Sequence, residues 1–384
     1  MAHLRAALER SLRRAGPGSG ASVYDLTAHT SLFSLRDGVR RPPASVEKLY
    51  TTIALLDELG SAERLHTTVL GSGHLGPGGE WHGNLYLRGG GDPTFGDGGF
   101  NRVWELGYGP TALQLARQLR SRGIRSVTGR LIGDESLFDA LRGGPATAYA
   151  ADVPDFGGQL SALTYDHGST VRGLGPGGFA ARQLARTLRA MRVRVRAAAL
   201  TARTPRHARK LAVISSPLMS VLLKLMDASS DDLFAELLTK QLGVRFGPAG
   251  TIAAGASVIH RQIGDYGVHP TIVDGSGLSR EDRSSPREVA ELLRLVWATP
   301  AGDVLRDSLP IVGQTGTVSG IAVRTPAQGH CVAKTGTLNY VTNLAGYCHV
   351  REGHLVVFAL FVDGPANWQA WPLIGRMVAA IARY

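Results

Sequence analysis

The chain has 384 residues, of which 43% are hydrophobic and 19% charged, a balance that fits a folded globular protein and excludes a disordered or fibrous one. Its net charge is +11, carried by 37 Arg against only 5 Lys, and no apolar run approaches the roughly 18 to 20 residues that span a bilayer. The length is large for one core and calls for two domains, or for one domain carrying an insertion.

Leu4, Leu8 and Leu12 recur at helical spacing among Arg and Glu, so the first segment reads as a surface helix and not as a signal peptide. An export signal has then either been removed or was never present. Two short strands follow within 21–40, joined by a turn at Thr27–Thr30. Pro42-Pro43 enforces an extended approach to a helix that begins near Ser45, buries Val46, Leu49, Ile53 and Leu56, and stops at Gly60. From residue 61 β-like runs alternate with glycine-rich turns, with helices at 111–122 and 181–191. The helical pattern returns near Ser215-Ser216-Pro217, with further helices at 248–264 and 286–298. Three strands, HCVAKTGT, NLAGYCHV and HLVVFALFV, and a helix at 367–382 close the chain. The simplest organisation is a domain split in sequence, 1–60 plus 216–384, with 61–215 inserted.

Residues 182–210 hold nine Arg and one Lys without an acid. Ala181, Leu184, Leu188 and Met191 form an apolar helix stripe there, Val193 and Val195 alternate with arginines as in a strand, and no aromatic residue interleaves the cations as a single-strand nucleic-acid platform requires. The stretch reads as a solvated or polyanion-facing surface, with anionic cell-wall polymer as the partner and no specific nucleic acid. Cys331 and Cys348 straddle Asn339-Tyr340 symmetrically, which leaves two readings open: a cross-strand disulfide, or two small buried thiols. His330 and His349 flank them without the ordinary spacing of zinc ligands, so no metal is expected.

Two of the five lysines sit in short motifs, Ser45-Val46-Glu47-Lys48 and Lys334-Thr335-Gly336-Thr337. At i and i+3 on a helix, Ser45 and Lys48 share a face, and the first turn favours developing negative charge. A serine hydroxyl needs a neighbouring base, and Lys48 serves only when neutral. At an ordinary pKa of about 10.4, roughly one molecule in 2,500 carries the free amine at pH 7. A second cation in a closed site lowers that cost, and Lys334 is the candidate. Lys334 and Thr335 also offer a cation and a hydroxyl to a substrate carboxylate, Gly336 admits a backbone close to the strand, and the Thr337 N–H can join that of Ser45 as an oxyanion hole. Gln314-Thr315-Gly316-Thr317 lacks the lysine and reads as a loop. Asp274-Gly275-Ser276-Gly277 and the GGGDPT segment read as scaffold turns.

In serial order PPASVEKLYTT, GGGDPTF, LSALTYDHG, VDGSGLSR and AKTGTL run through nearly the whole chain, and the chain thereby resembles the class C low-molecular-mass penicillin-binding proteins. The resemblance implies an α/β (α+β) fold: a serine β-lactamase/transpeptidase-like domain, with an antiparallel sheet flanked by helices, interrupted by a β-rich insertion. It implies a cofactor-free serine D-alanyl-D-alanine carboxypeptidase/endopeptidase outside the cytoplasm. That enzyme acts on peptidoglycan stem peptides through Ser45, Lys48 and Ser230 and is acylated by β-lactams. Ser230-Asp231-Asp232 matches the family's Ser-x-Asn, but Asp232 stands at the asparagine position. An ionised carboxylate only accepts hydrogen bonds and favours charged Lys48. This departure motivates a second reading, a weakly active or inactive wall- or β-lactam-binding protein.

Overall fold

The computed structural model describes residues 1–151, 156–196 and 200–384. In chain order it runs α1 (Ala2–Ala15), β1 (Gly20–Asp25), β2 (Thr30–Leu35), a 3-10 turn (Ala44–Glu47), α2 (Lys48–Leu59), β3 (His66–Leu75) and β4 (Glu80–Arg88). There follow α3 (Gly98–Trp104), α4 (Ala112–Ser121), β5 (Ser126–Val127), β6 (Leu131–Asp134), α5 (Pro176–Ala190), β7 (Leu200–Thr201) and β8 (Arg209–Ser215). The remainder is helical, α6 (Met219–Ser229), α7 (Asp232–Phe246), α8 (Ile252–Gly264), α9 (Pro286–Val296) and α10 (Pro300–Ser308), until β9 (Cys331–Leu338), β10 (Val341–His349), β11 (Leu355–Asp363) and α11 (Asn367–Ile381). The contacts divide the chain into two units: Met1–Ser61 with Ser220–Ala235 and Gly255–Tyr384, and Ala62–Met219 with Glu236–Ala254.

The first unit is built on an antiparallel five-stranded sheet of order β2-β1-β11-β10-β9. Almost every residue of β10 and β11 is buried, because both faces of these central strands are covered, and β11 is apolar up to its last residue. One face carries α1 and α11, whose apolar stripes meet: Leu4, Leu8 and Leu12 of α1 share a core with Ile374, Met377 and Val378 of α11. The N-terminal helix is therefore exposed only on its arginine side. Cys331 and Cys348 face each other in register and are joined by a disulfide between β9 and β10.

The second unit carries a mixed six-stranded sheet, β7-β6-β4-β3-β8 with β5 beside β4. The β3–β4 hairpin and β8 are antiparallel, whereas β5, β6 and β7 run parallel to their neighbours. α4 and α5 supply Leu115, Leu119, Leu184 and Leu188 to its core, so this unit is as much helix-on-sheet as β-rich. Where alternating valines suggested a strand at 193–195, only Arg194 makes a bridge, to Ser126. The rest of the arginine-rich stretch includes 197–199, which lie outside the described residues.

Candidate active site

The site is assembled within the first unit from four places in the sequence. Ser45 lies in the 3-10 turn that runs directly into α2, and Ala44 before it takes a left-handed φ of 49°. That turn, one residue tighter than the α-helical start expected, still leaves Lys48 Nζ 3.0 Å from Ser45 Oγ. Lys48 is fully buried and donates to two further acceptors, the Ser276 carbonyl at 2.7 Å and Asp232 Oδ1 at 2.5 Å. The Ser276 carbonyl and the Asp232 carboxylate can only accept from Nζ, whereas the Ser45 hydroxyl can either accept or donate.

Ser230 sits between α6 and α7 with φ of 63°, the left-handed region that costs a non-glycine residue about 1–2 kcal/mol. The bend turns its hydroxyl to Lys334, whose Nζ donates to Ser230 Oγ at 2.7 Å and to the Thr335 carbonyl at 3.0 Å. Burial, and next the charge of Lys48, push Lys334 down from an ordinary 10.5 to about 7, against the opposing pull of Asp227 and Asp232. The sequence cast Lys334 as the cation that would lower its partner. That effect falls on Lys334 itself.

Asp232 is raised from its ordinary value because burial outweighs its contact with Lys48. Asp227, absent from the sequence-level candidates, lies one turn ahead of Ser230 and is fully buried. Its Oδ2 accepts from Thr52 at 3.0 Å and from Ser308 at 2.7 Å. Burial lifts its carboxyl to about 6 although both lysines oppose the shift. The only hint in the sequence was an acid three residues before Ser230, a pattern too common to carry weight.

Gly336 has a reason beyond access for a substrate. A Cβ there would meet the Pro43 carbonyl oxygen at 2.4 Å and the Val46 nitrogen at 3.0 Å, so the glycine lets β9 lie against the serine turn. Asn343 on β10 holds the same turn by donating to the Pro42 and Pro43 carbonyls at 3.0 and 2.9 Å. The Asp274–Gly277 segment is a scaffold turn, capped where Asp274 accepts from the Gly277 and Ser279 N–H groups. It also delivers the Ser276 carbonyl to Lys48. Gly277, with φ of 80°, packs its Cα side on Ala44, which no side chain would allow. Thr317, in the loop dismissed for want of a lysine, bonds to Thr335 hydroxyl to hydroxyl at 2.8 Å. Thr337 is exposed at the open end of β9.

No group of three or more His, Cys, Asp or Glu able to hold a metal occurs among the described residues. No helix among them is long and apolar enough to cross a membrane.

The model of the D-Ala-D-Ala carboxypeptidase 3 (S13) family matches residues 3–176 and 157–383. The chain is 30% identical to a carboxypeptidase DacB of Mycolicibacterium smegmatis over 92% of this chain and 79% of that protein. It is 26% identical to a D-alanyl-D-alanine carboxypeptidase of Actinomadura sp. (strain R39), over 96% and 82%. Penicillin binding protein 4 (dacB) of Haemophilus influenzae superposes with a TM-score of 0.82 at 19% identity, covering 98% of this chain and 99% of that one. A complex of that protein with a β-lactam superposes with a TM-score of 0.77 at 20% identity and the same coverage.

Proposed function

The chain belongs to the D-Ala-D-Ala carboxypeptidase 3 (S13) family, a serine-type peptidase family of the penicillin-binding class, and from that premise we propose how its own residues cleave a D-alanyl-D-alanine peptide. The observation that carries the proposal is the 3.0 Å contact between Lys48 Nζ and Ser45 Oγ inside a buried network of charges.

Ser45 Oγ attacks the carbonyl of the penultimate D-alanine in a peptidoglycan stem peptide. Its proton passes to Lys48 as Lys48 yields one to Asp232, so Lys48 ends the step still an ammonium and Asp232 becomes a carboxylic acid. Burial, which raises Asp232, makes that carboxylate a stronger base than an exposed one. The N–H groups of Ser45 and Thr337 receive the oxyanion, a contribution worth about 100- to 1,000-fold in rate. Ser230, bonded to Lys334, relays a proton to the departing amine of D-alanine. Lys334 and Thr335, the latter steadied by Thr317, hold the terminal carboxylate. Water then hydrolyses the ester on Ser45 and restores the ion pair. A β-lactam presents the same carbonyl and carboxylate, but its leaving group stays tethered, so the acyl adduct persists.

In this reading the first unit is the catalytic domain, Asp232 takes over the lysine-facing role of the family's asparagine, and the protein works outside the cytoplasm where its substrate lies. The test is the intact mass of the protein before and after benzylpenicillin, with Ser45→Ala beside it. A gain of one drug mass, absent from the variant, supports the proposal. Well-folded protein without an adduct would refute it and leave a wall-binding protein whose Lys48 is locked by Asp232.

A further inference from the structure

The first unit carries a second concave feature, unrelated to the lysine–serine cluster. α1, α11 and the loop at 320–325 enclose a cleft of about 710 Å³. Arg10 and Arg14 of α1, Arg376 of α11 and Arg383 just beyond its end line it, with Ile321 and Trp371 contributing apolar surface. All four arginines are exposed, and no carboxylate lines the cleft.

None of the four guanidinium groups has a hydrogen-bond or ion-pair partner among the described residues. That is not the general condition of arginine in this unit: Arg40 pairs with Glu288, Arg287 with Asp37 and Arg294 with Glu291. The arginine-bearing cleft of the second unit, lined by Arg88, Arg203 and Arg206, includes the carboxylate of Asp134. The α5 arginines are partly engaged too, Arg189 with the Val195 carbonyl and Arg186 with Gln183.

We propose that this cleft binds a linear polyanion whose phosphate groups are spaced along an uncharged carbon backbone. Arg10 and Arg14 are four residues apart on α1, about 6 Å along its axis, and Arg376 and Arg383 add two more cations from the other end of the chain. Four cations without a carboxylate among them suit a ligand that carries several phosphates. The planar fork of arginine matches two oxygens of one phosphate group, and the apolar surface of the cleft receives the carbon backbone. A flat lipid surface would bridge the rims of the concavity and leave Trp371 and Ile321 untouched.

The test is calorimetric titration of the full chain with a poly(glycerol phosphate) chain across a range of salt concentrations. Wild type should bind, with affinity falling steeply as salt rises. Changing all four to glutamine (Arg10→Gln, Arg14→Gln, Arg376→Gln, Arg383→Gln) should weaken binding about tenfold or more. It should also flatten the slope of log affinity against log salt by about 3, at roughly 0.7 per released phosphate contact. Acylation by benzylpenicillin, which depends on another part of the unit, should be unchanged and reports that the variant is folded. A matched set on the second unit (Arg182→Gln, Arg186→Gln, Arg192→Gln, Arg194→Gln) should keep its affinity. The proposal is overturned by wild type that ignores the polymer, by a cleft variant that binds as wild type, or by equal losses in both sets. Binding to phosphatidylglycerol vesicles without binding to the polymer overturns it as well.

Discussion

Two lysine–serine pairs lie in the same unit, made of the same atoms and equally buried, and they are held in opposite ways. Lys48 has three acceptors, of which one is the Asp232 carboxylate 2.5 Å away. Lys334 bonds to Ser230 and to a backbone carbonyl, and it is driven down to about 7 by burial and by the charge of Lys48. The difference teaches that two equally buried lysines can have unlike surroundings: Lys48 meets a directly bonded carboxylate at position 232, and Lys334 meets a hydroxyl and a backbone carbonyl.

The comparison breaks most completely at Lys48. Lys48→Ala should slow acylation by benzylpenicillin about 1,000-fold or more, followed as the time course of the mass shift, because general-base catalysis is worth about 100- to 10,000-fold and this amine also orients Ser45. A loss below tenfold would assign the base elsewhere.

Lys334 sharpens the contrast next. It is charged below about pH 7 and neutral above, so kcat/KM for a D-alanyl-D-alanine peptide should fall as pH rises through about 7. Lys334→Gln should lower kcat/KM about 100-fold, mainly through KM, and erase that alkaline limb, since it removes a contact made to the bound substrate. A limb that survives the substitution belongs to another group.

For Asp232→Asn the expected effect is about tenfold at pH 6. Without the carboxylate, Lys48 must itself be neutral before it can act, so the acidic limb of acylation should move from the carboxylate range toward the lysine range. Faster acylation by Asp232→Asn would show instead that the ion pair restrains the enzyme.

The smallest effect is on stability. Asp227 is raised from 3.8 to about 6 in the folded protein, chiefly by burial, so it binds its proton more tightly folded than unfolded. Its contribution is fully present below about pH 3.8 and is lost as pH rises through about 6. Relative to Asp227→Asn, wild type should therefore lose Tm between pH 4 and pH 7. A difference independent of pH would mean that Asp227 is ionised throughout.

Much of this was legible in the amino-acid order. Periodicity located α1, α2, α9 and α11 and the three C-terminal strands, since apolar residues at 3.6- or 2-residue spacing have one way to be buried. Rarity made part of the site visible: with five lysines in the chain, Lys48 and Lys334 stood out, and Ser45 and the Lys334–Thr337 run came with them, whereas Ser230 was found only through the family resemblance. The symmetry of Cys331 and Cys348 about a hairpin suggested that they face each other, while the bond itself depended on strand register.

Other features had no local signature. Thr317 reaches Thr335 across 18 residues, Ser276 reaches Lys48 across 228, and Asp227 meets Thr52 across 175. Such contacts depend on how helices and turns pack, and no periodic pattern encodes them. The direction of charge in the cleft was equally out of reach, because it depends on distances and burial between groups far apart in the chain. By itself, the order of residues picked out Ser45, Lys48 and Lys334 as candidates for acyl transfer and put Leu4, Leu8 and Leu12 on one face of a helix. Only the tertiary structure decided that α11 would cover them, that the Ser276 carbonyl would reach Lys48, and that four arginines from the two ends of the chain would share one cleft.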